Sequence, residues 1–214
     1  MSDRSRVRAA LLAHLDTASP DGGLSEQGFA RLAELVTELR ALSAYPRPAE
    51  RPQVLAGRWV TVFAHFGARH SAGKPRVHES NLRIHSFNKF PELPIAVLAM
   101  HQEVAADGSQ YDNIVSIAAP AGGARGEVVT HGRWAVDALN PQRLNIEFHR
   151  VELRPLAGVD AAALHSSLGA APDLVPSAEL KVSKLYSDVV YLDDELRINI
   201  GIQGGLYVLC KLSS

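Results

Sequence analysis

The chain has 214 residues, of which 46% are hydrophobic and 21% are charged, which is the composition of a folded globular protein. A formal net charge of -1 provides no positive field for a nucleic acid or an anionic membrane, so we predict no nucleic-acid partner. The single cysteine, Cys210, excludes an intramolecular disulfide and a zinc site made only of cysteines. No apolar run approaches the roughly 18 residues of a membrane helix, so the default expectation is a cytoplasmic protein.

Two amphipathic helices are predicted at the N-terminus. The first places Val7, Leu11, Leu12 and Leu15 on one face. The second starts after Ser25, a good N-cap, and its apolar stripe consists of Phe29, Leu32, Ala33, Val36 and Leu39. Three prolines within residues 44–53 prevent the helix from continuing. We therefore predict a helical region over residues 1–45, a linker over 46–54 and a β domain over 55–214.

From residue 55 the apolar period changes from 3.6 to 2, which indicates strands. In the first strand Trp59, Thr61, Phe63 and His65 share one face. Turn-forming residues separate the later candidates. These candidates are Leu82–Phe87, Ile95–Val104, Asn113–Ala119, Gly126–Val136, Arg143–Leu153, Val189–Leu192, Glu195–Ile200 and Leu206–Leu212. Residues 158–169 are typical of a short helix or an insert.

Eight or nine short antiparallel strands can hide their edges in a closed barrel or in a two-sheet sandwich. Several of the candidates carry apolar side chains on both faces, which is unusual for a sheet with one wet face. We therefore predict a mainly β fold, in which the N-terminal helices cover part of an antiparallel β-barrel. A barrel of eight strands is about wide enough to hold one small ligand.

Two groups of residues resemble a known family. Leu55, Gly57 and Trp59 resemble the Leu-x-Gly-x-Trp strand that opens the barrel of the plastid lipid-associated proteins, or fibrillins, and Gly-x-Trp also opens lipocalin-type barrels. Residues 191–193, 196–198 and 204–209 read YLD, LRI and GGLYVL and resemble the closing motif of the same family. The resemblance extends from about residue 7 to residue 212.

The resemblance implies a lipocalin-like barrel that binds a small hydrophobic ligand, such as an isoprenoid, a carotenoid, a quinone or another lipid. It also implies contact with the periphery of a membrane, as an alternative to a purely cytoplasmic location. Ile200–Gln203 departs from the family, which tends to carry an Arg-Gly-Asp-like turn there, so a headgroup contact by this turn is in doubt. The alanine-rich, lysine-poor composition and the lack of a transit peptide indicate a bacterial member, so a plastoglobule role is not expected.

Arg197 is the most informative polar residue, because it alternates with Leu196, Ile198 and Ile200 in one strand. If its face points into the barrel, the guanidinium needs a partner, since a buried unpaired charge is costly. Asp193, Glu195 or Glu147 are structural candidates. A ligand carboxylate, phosphate or carbonyl is the functional alternative.

Aromatic side chains occur in most of the strand candidates and would line a barrel that is not filled solid. Together with the arginine they form the predicted ligand-binding set, which consists of Trp59, Phe63, Trp134, Phe148, Tyr191, Arg197 and Tyr207. His65, on the predicted inward face, is the one candidate for a haem ligand. No histidine has the close spacing of a zinc motif, so we predict no cofactor, no metal and no catalytic residue.

Three functions remain open from the sequence. The first is a barrel that binds a small hydrophobic ligand. The second is an enzyme that acts on such a molecule, which requires a strongly shifted acid or base near Arg197. The third is a scaffold that docks a protein partner through the N-terminal helices, which requires an exposed apolar patch on residues 7–39.

Overall fold

The computed structural model describes residues 2–18, 23–65 and 80–212. The two predicted N-terminal helices are α1, Asp3–Leu15, and α2, Glu26–Ala41. The side chain of Ser25 caps α2 by accepting a hydrogen bond from the Gly28 backbone N–H at 3.1 Å. None of the helices in these ranges is long and apolar enough to cross a membrane.

Short helices form in the segments between the main elements. The predicted linker contains a 3₁₀ helix, Pro48–Glu50, and α3, Pro52–Leu55. A proline stands at the start of each, where its missing N–H costs nothing. The remaining helices are α4, Leu82–His85, and α5, Ala161–Ser167, which lies inside the segment predicted as a short helix or an insert.

In the described part of the chain, nine strands follow the N-terminal helices. They are β1, Gly57–His65; β2, Ser80–Asn81; β3, Pro94–Val104; β4, Tyr111–Ala118; β5, Arg125–Val136; β6, Arg143–Pro155; β7, Ser177–Leu192; β8, Leu196–Gly201; and β9, Leu206–Lys211. Consecutive strands from β3 to β9 pair with each other, and β1 pairs with both β9 and β3. The eight longer strands therefore close an antiparallel barrel, while β2 pairs only with the start of β3. The predicted mainly β fold, with a barrel and an N-terminal helical pair, is confirmed.

Two predicted strands differ from the structure. Leu82–Phe87 was predicted as a strand, which is wrong: the Asn81 side chain accepts a hydrogen bond from Ile84 N–H at 3.0 Å and starts α4 instead. The strand predicted at Val189–Leu192 is only the end of β7, which starts at Ser177. Lys184, in the middle of β7, has a φ of 63°, so the strand bends and its alternation of apolar side chains is interrupted.

The apolar side chains form two separate layers. The larger layer lies in the barrel interior and includes Trp59, Tyr111 and Phe148. The second layer lies between the barrel wall and the N-terminal helices, and it is formed by the buried residues Val7, Leu11, Leu15, Leu32, Leu35, Leu39, Phe63, Val190, Tyr191, Leu196, Ile198 and Val208. Because the described part of the helical stripe packs on the barrel, the scaffold alternative is weakened.

A β-bulge in β1 changes the faces that the sequence predicted. Thr61 pairs with Leu209 and Phe63 with Val208, so Val62 is an extra residue in the strand. The predicted common face of Trp59, Phe63 and His65 is therefore wrong. Trp59 points into the barrel, whereas Phe63 packs under the helices with its ring centroid 5.9 Å from that of Phe29.

The strand connections divide between the two ends of the barrel. We call the end that holds Trp59, with the connections at 105–110, 137–142 and 193–195, the Trp59 end. The opposite end, with connections that include 119–124 and 202–205, is the far end. α3 lies at the Trp59 end, because the indole N–H of Trp59 donates to the Leu55 carbonyl at 2.8 Å.

Candidate functional site

Strand β8 places two polar side chains in the barrel interior. Arg197 and Asn199 are 0% and 1% exposed, and they alternate with Leu196 and Ile198, which pack under the helices. The strict alternation that the sequence displays is therefore the signal that directs Arg197 inward. The structure therefore meets the condition considered for Arg197, that its face points into the barrel.

Arg197 has no carboxylate partner in the part of the chain that the structure describes. Its Nη2 donates to Oε1 of Gln102, and its guanidinium carbon lies 4.8 Å from the ring centroid of Trp59. Its Nε and Nη1 are buried without a hydrogen-bond partner. Burial, with no nearby carboxylate to offset it, lowers the pKa of Arg197 below its ordinary value.

The three carboxylates predicted as partners of Arg197 are engaged elsewhere, so that prediction is wrong. Asp193 and Glu195 lie 3.5 Å and 2.5 Å from Nη1 of Arg8 on α1. Glu147 binds Arg133 on the neighbouring strand at 2.6 Å. All three belong to the outer surface or to the turn between β7 and β8, whereas Arg197 is held by an amide and an aromatic ring.

Gln102 is the centre of the interior polar network, and the sequence analysis did not identify it. Its Oε1 accepts from Arg197 and from the Tyr111 hydroxyl at 3.2 Å, and its Nε2 donates to Asn113 Oδ1 at 2.9 Å. Gln102 is the cross-strand partner of Trp59. Its inward position follows from strand register, which the sequence of β3 alone does not specify.

Several side chains that the register directs into the barrel keep part of their surface exposed. They come from five strands, and they are Thr61, Met100, Gln102, Asn113, Leu185 and Tyr207. Other interior residues, such as Val128 and Leu144, are fully buried. The partly exposed inward-facing side chains therefore include both polar and apolar groups.

The structure brings five of the seven predicted ligand-binding residues into the interior layer or next to it. These are Trp59, Trp134, Phe148, Arg197 and Tyr207. Phe63 and Tyr191 lie in the layer under the helices instead, because each follows a register shift in its strand. Ligand contact by any of the seven stays a prediction.

Two tyrosines differ in their surroundings. Burial first, and the nearby Tyr111 second, raise the pKa of Tyr207 to about 12. Burial also raises the pKa of Tyr191, whose hydroxyl donates to Asp193 Oδ2 at 2.6 Å. Both hydroxyls are therefore protonated at neutral pH. The enzyme alternative, which required a strongly shifted acid or base near Arg197, stays untested.

The histidines within the described residues do not assemble in the barrel interior. His65 makes an edge contact with Phe29 of α2, with ring centroids 4.7 Å apart, so it lies on the helix side and not on the predicted inward face. His131 lies on the outer surface between Asp112 at 3.1 Å and Glu152 at 3.3 Å. Among the residues described, no group of three or more His, Cys, Asp or Glu side chains could hold a metal ion. His70 and His78 lie outside the described residues.

Comparisons with known proteins agree with the resemblance noted in the sequence. The chain is 23% identical over 220 residues to "Light-induced protein, chloroplastic" of Solanum tuberosum, which covers 89% of this chain and 62% of the relative. It is 20% identical over 250 residues to "Probable plastid-lipid-associated protein 2, chloroplastic" of Arabidopsis thaliana, which covers 100% of this chain and 73% of the relative. The chain thus spans less than two thirds of the length of the potato relative.

No solved structure matches the chain. The sequence model of the family described as PAP_fibrillin matches residues 21–210, which include α2, the whole barrel and the closing motif around Arg197. The chain therefore belongs to the PAP_fibrillin family.

Proposed function

We propose that the barrel binds a small hydrophobic ligand, of the isoprenoid, carotenoid, quinone or general lipid class, in its interior. The observation that carries the proposal is the exposed inward set: side chains such as Thr61, Asn113 and Leu185 face the interior of a closed barrel and remain partly exposed. Sites for small ligands are typically concave, mostly apolar and supplied with a few fixed polar groups.

The polar end of the ligand would face Gln102 and Asn113. Arg197 lies directly behind Gln102, with its charge held by Trp59 and by the amide oxygen of Gln102. A hydrogen bond from a charged donor polarises the amide, which strengthens the N–H groups on its other side as donors. This arrangement favours a ligand whose polar end is rich in electrons, such as a carbonyl, a hydroxyl or a carboxylate.

The apolar part of the ligand would contact Met100, Leu185 and Phe148, which supply the other side of the same space. The Arabidopsis relative is named as a plastid-lipid-associated protein, which supports a lipid ligand for this chain as well. We further propose a cytoplasmic location with peripheral contact to a membrane from which the ligand is obtained.

The first test is native mass spectrometry of the protein purified from its own host, followed by organic extraction. We expect one lipid per chain at near-stoichiometric amount. The matched variants are Leu185→Trp, which fills the interior, and Lys181→Trp, which adds the same ring to the exposed face of the same strand.

Leu185→Trp should lower the bound lipid by tenfold or more, while Lys181→Trp should retain it. A protein that is free of lipid when isolated from a host rich in such molecules would contradict the proposal. So would equal lipid content in the two variants, because the ligand would then not occupy the interior.

A further inference from the structure

The barrel is closed by hydrogen bonds along only part of the contact between β1 and β3. The two strands pair from Gly57 with Val104 to Val60 with His101. Beyond this point β1 continues to His65 along β9, and β3 runs back to Pro94 along β4. None of the strand pairs among the described residues joins the second half of β1 to the first half of β3.

We call this unpaired stretch the β1–β3 seam, formed by residues 61–65 and 96–100. The short strand β2 pairs with Pro94 and Ile95, and no strand among the described residues pairs with Ala96–Met100 on this side. At a rise of about 3.4 Å per residue, the open edge of β3 is about 13 Å long. An unpaired edge is a liability in a β protein, so its presence in an otherwise closed barrel requires a reason.

Both strands bulge outward at the seam. Val62 is the extra residue between Thr61 and Phe63, and Leu98 is the extra residue between Val97 and Ala99. Their side chains are 44% and 47% exposed, so two aliphatic groups flank the seam on the outer surface. β-Bulges of this kind commonly occur at barrel rims and next to binding sites.

The residues just behind these two bulges belong to the accessible interior. Thr61 and Met100 point into the barrel, as their partners Leu209 and Val115 do, and both remain partly exposed. The seam therefore has an apolar outer margin and leads to the same space that the proposed ligand occupies.

We propose that the β1–β3 seam is the passage through which the hydrophobic ligand enters and leaves the barrel. The inference rests on the proposed function. Val62 and Leu98 lower the barrier to passage, because an apolar tail that moves between them is shielded from water. They are not part of the bound site, so they change rates and leave the equilibrium affinity nearly unaltered.

The test compares Val62→Asp/Leu98→Asp with the control Leu139→Asp/Val175→Asp, which adds the same two charges at exposed apolar positions away from the seam. The probes are all-trans-retinol, an isoprenoid alcohol, and cis-parinaric acid, a fluorescent fatty acid, each delivered from cyclodextrin without any membrane. Stopped-flow fluorescence gives the rates of uptake and release, and titration gives Kd.

We expect uptake and release of a bound probe to slow by tenfold or more in the seam variant, with Kd within twofold of the wild-type value and no change in the control. The milder Val62→Ser/Leu98→Ser variant should show the same pattern with a smaller factor. Unchanged rates, or a change in Kd alone, would overturn the passage. A wild-type protein that takes up neither probe would instead refute the proposed interior site, and the passage with it.

Discussion

The two ends of the barrel carry similar residue types, but they differ in how far their interior side chains are buried. At the Trp59 end, Trp59, Arg197 and Tyr111 are almost completely buried. Gln102 accepts hydrogen bonds from Arg197 and Tyr111, and the guanidinium of Arg197 lies against the Trp59 ring. Towards the far end, the seam interrupts the pairing of β1 with β3, and inward-facing side chains such as Met100 keep exposed surface. Arg197 and Tyr111 are thus buried, whereas Gln102, Asn113 and Met100 keep part of their surface exposed.

Within one continuous sheet, the buried contacts at the Trp59 end contribute to stability, whereas the partly exposed side chains belong to the proposed binding region. A guanidinium without space around it cannot readily meet a ligand, and its contacts with Trp59 and Gln102 instead join β8, β1 and β3 at the point where the barrel closes. Of the two predicted roles of Arg197, the structural one therefore has the stronger physical support.

The largest effect is expected from removal of the indole at the Trp59 end. Trp59→Ala should lower the free energy of unfolding by about 3–5 kcal/mol, because it leaves a cavity and removes the aromatic face below Arg197. Urea denaturation measures the loss. Val62→Ala, at an exposed position of the same strand, should stay within about 0.5 kcal/mol of the wild type. Similar losses of unfolding free energy in the two variants would show that the two regions contribute equally to stability.

A double-mutant cycle examines the polar contact behind the ligand space. Gln102→Leu leaves Arg197 buried without its hydrogen bond, and we expect a loss of about 1.5–3 kcal/mol. Arg197→Met replaces the charge with an apolar side chain of similar length, which is often close to neutral. The double variant should therefore be more stable than Gln102→Leu alone. Additive losses in thermal and urea unfolding would show that the two residues act independently.

A smaller effect is expected at the bend of β7. Lys184 is exposed and has a φ of 63°, a backbone conformation that favours glycine. Lys184→Gly should raise the free energy of unfolding by up to about 1 kcal/mol. Lys181→Gly, on the same strand and equally exposed, should lower it, because glycine only adds chain entropy there. Destabilisation by both substitutions would mean that Lys184 makes a contact that offsets its backbone strain.

The smallest effect concerns pH. Burial lowers the pKa of His85, whose ring bonds to Ser80 at 2.8 Å and links α4 to β2. The unfolded chain takes up this proton near the ordinary pKa of 6.5, whereas the fold resists it, so stability is lost as the pH falls below that value. Urea midpoints at pH 7.5 and 5.5 should differ less in His85→Gln than in the wild type.

The matched substitution for this pH effect is His101→Gln, because burial also lowers the pKa of His101 on β3. Each single variant should remove part of the pH dependence. Equal pH dependence in His85→Gln and the wild type would show that the burial of His85 contributes nothing to it.

The sequence predicted the elements whose periodicity is uninterrupted. The stripes of α1 and α2 and the alternation around Arg197 gave the correct faces. The prediction of faces and strands failed where one residue interrupts the period. The bulge at Val62 turns Phe63 outward, and the bend at Lys184 interrupts the alternation, so most of β7 was not predicted. A bulge depends on the partner strand, so one strand's pattern does not reveal it.

The site was predicted less completely than the fold. Trp59 and Arg197 were identified because their residue types are conspicuous in an apolar strand. Gln102 and Asn113 were not, since an amide within a half-polar strand has no distinctive pattern. Their importance comes from cross-strand neighbours that lie far away in the chain, and only the register supplies that information.

The turn between β7 and β8 has a consequence for insertions and deletions. One carboxylate, that of Asp193, accepts hydrogen bonds from the backbone N–H groups of Glu195 at 2.9 Å and Leu196 at 2.7 Å, and so fixes the length of the turn. Gain or loss of a single residue here would reverse the faces of β8, moving Arg197 beneath the helices and Ile198 into the barrel. Loop grafting or domain insertion should therefore avoid this hairpin, even though its tip is close to the surface.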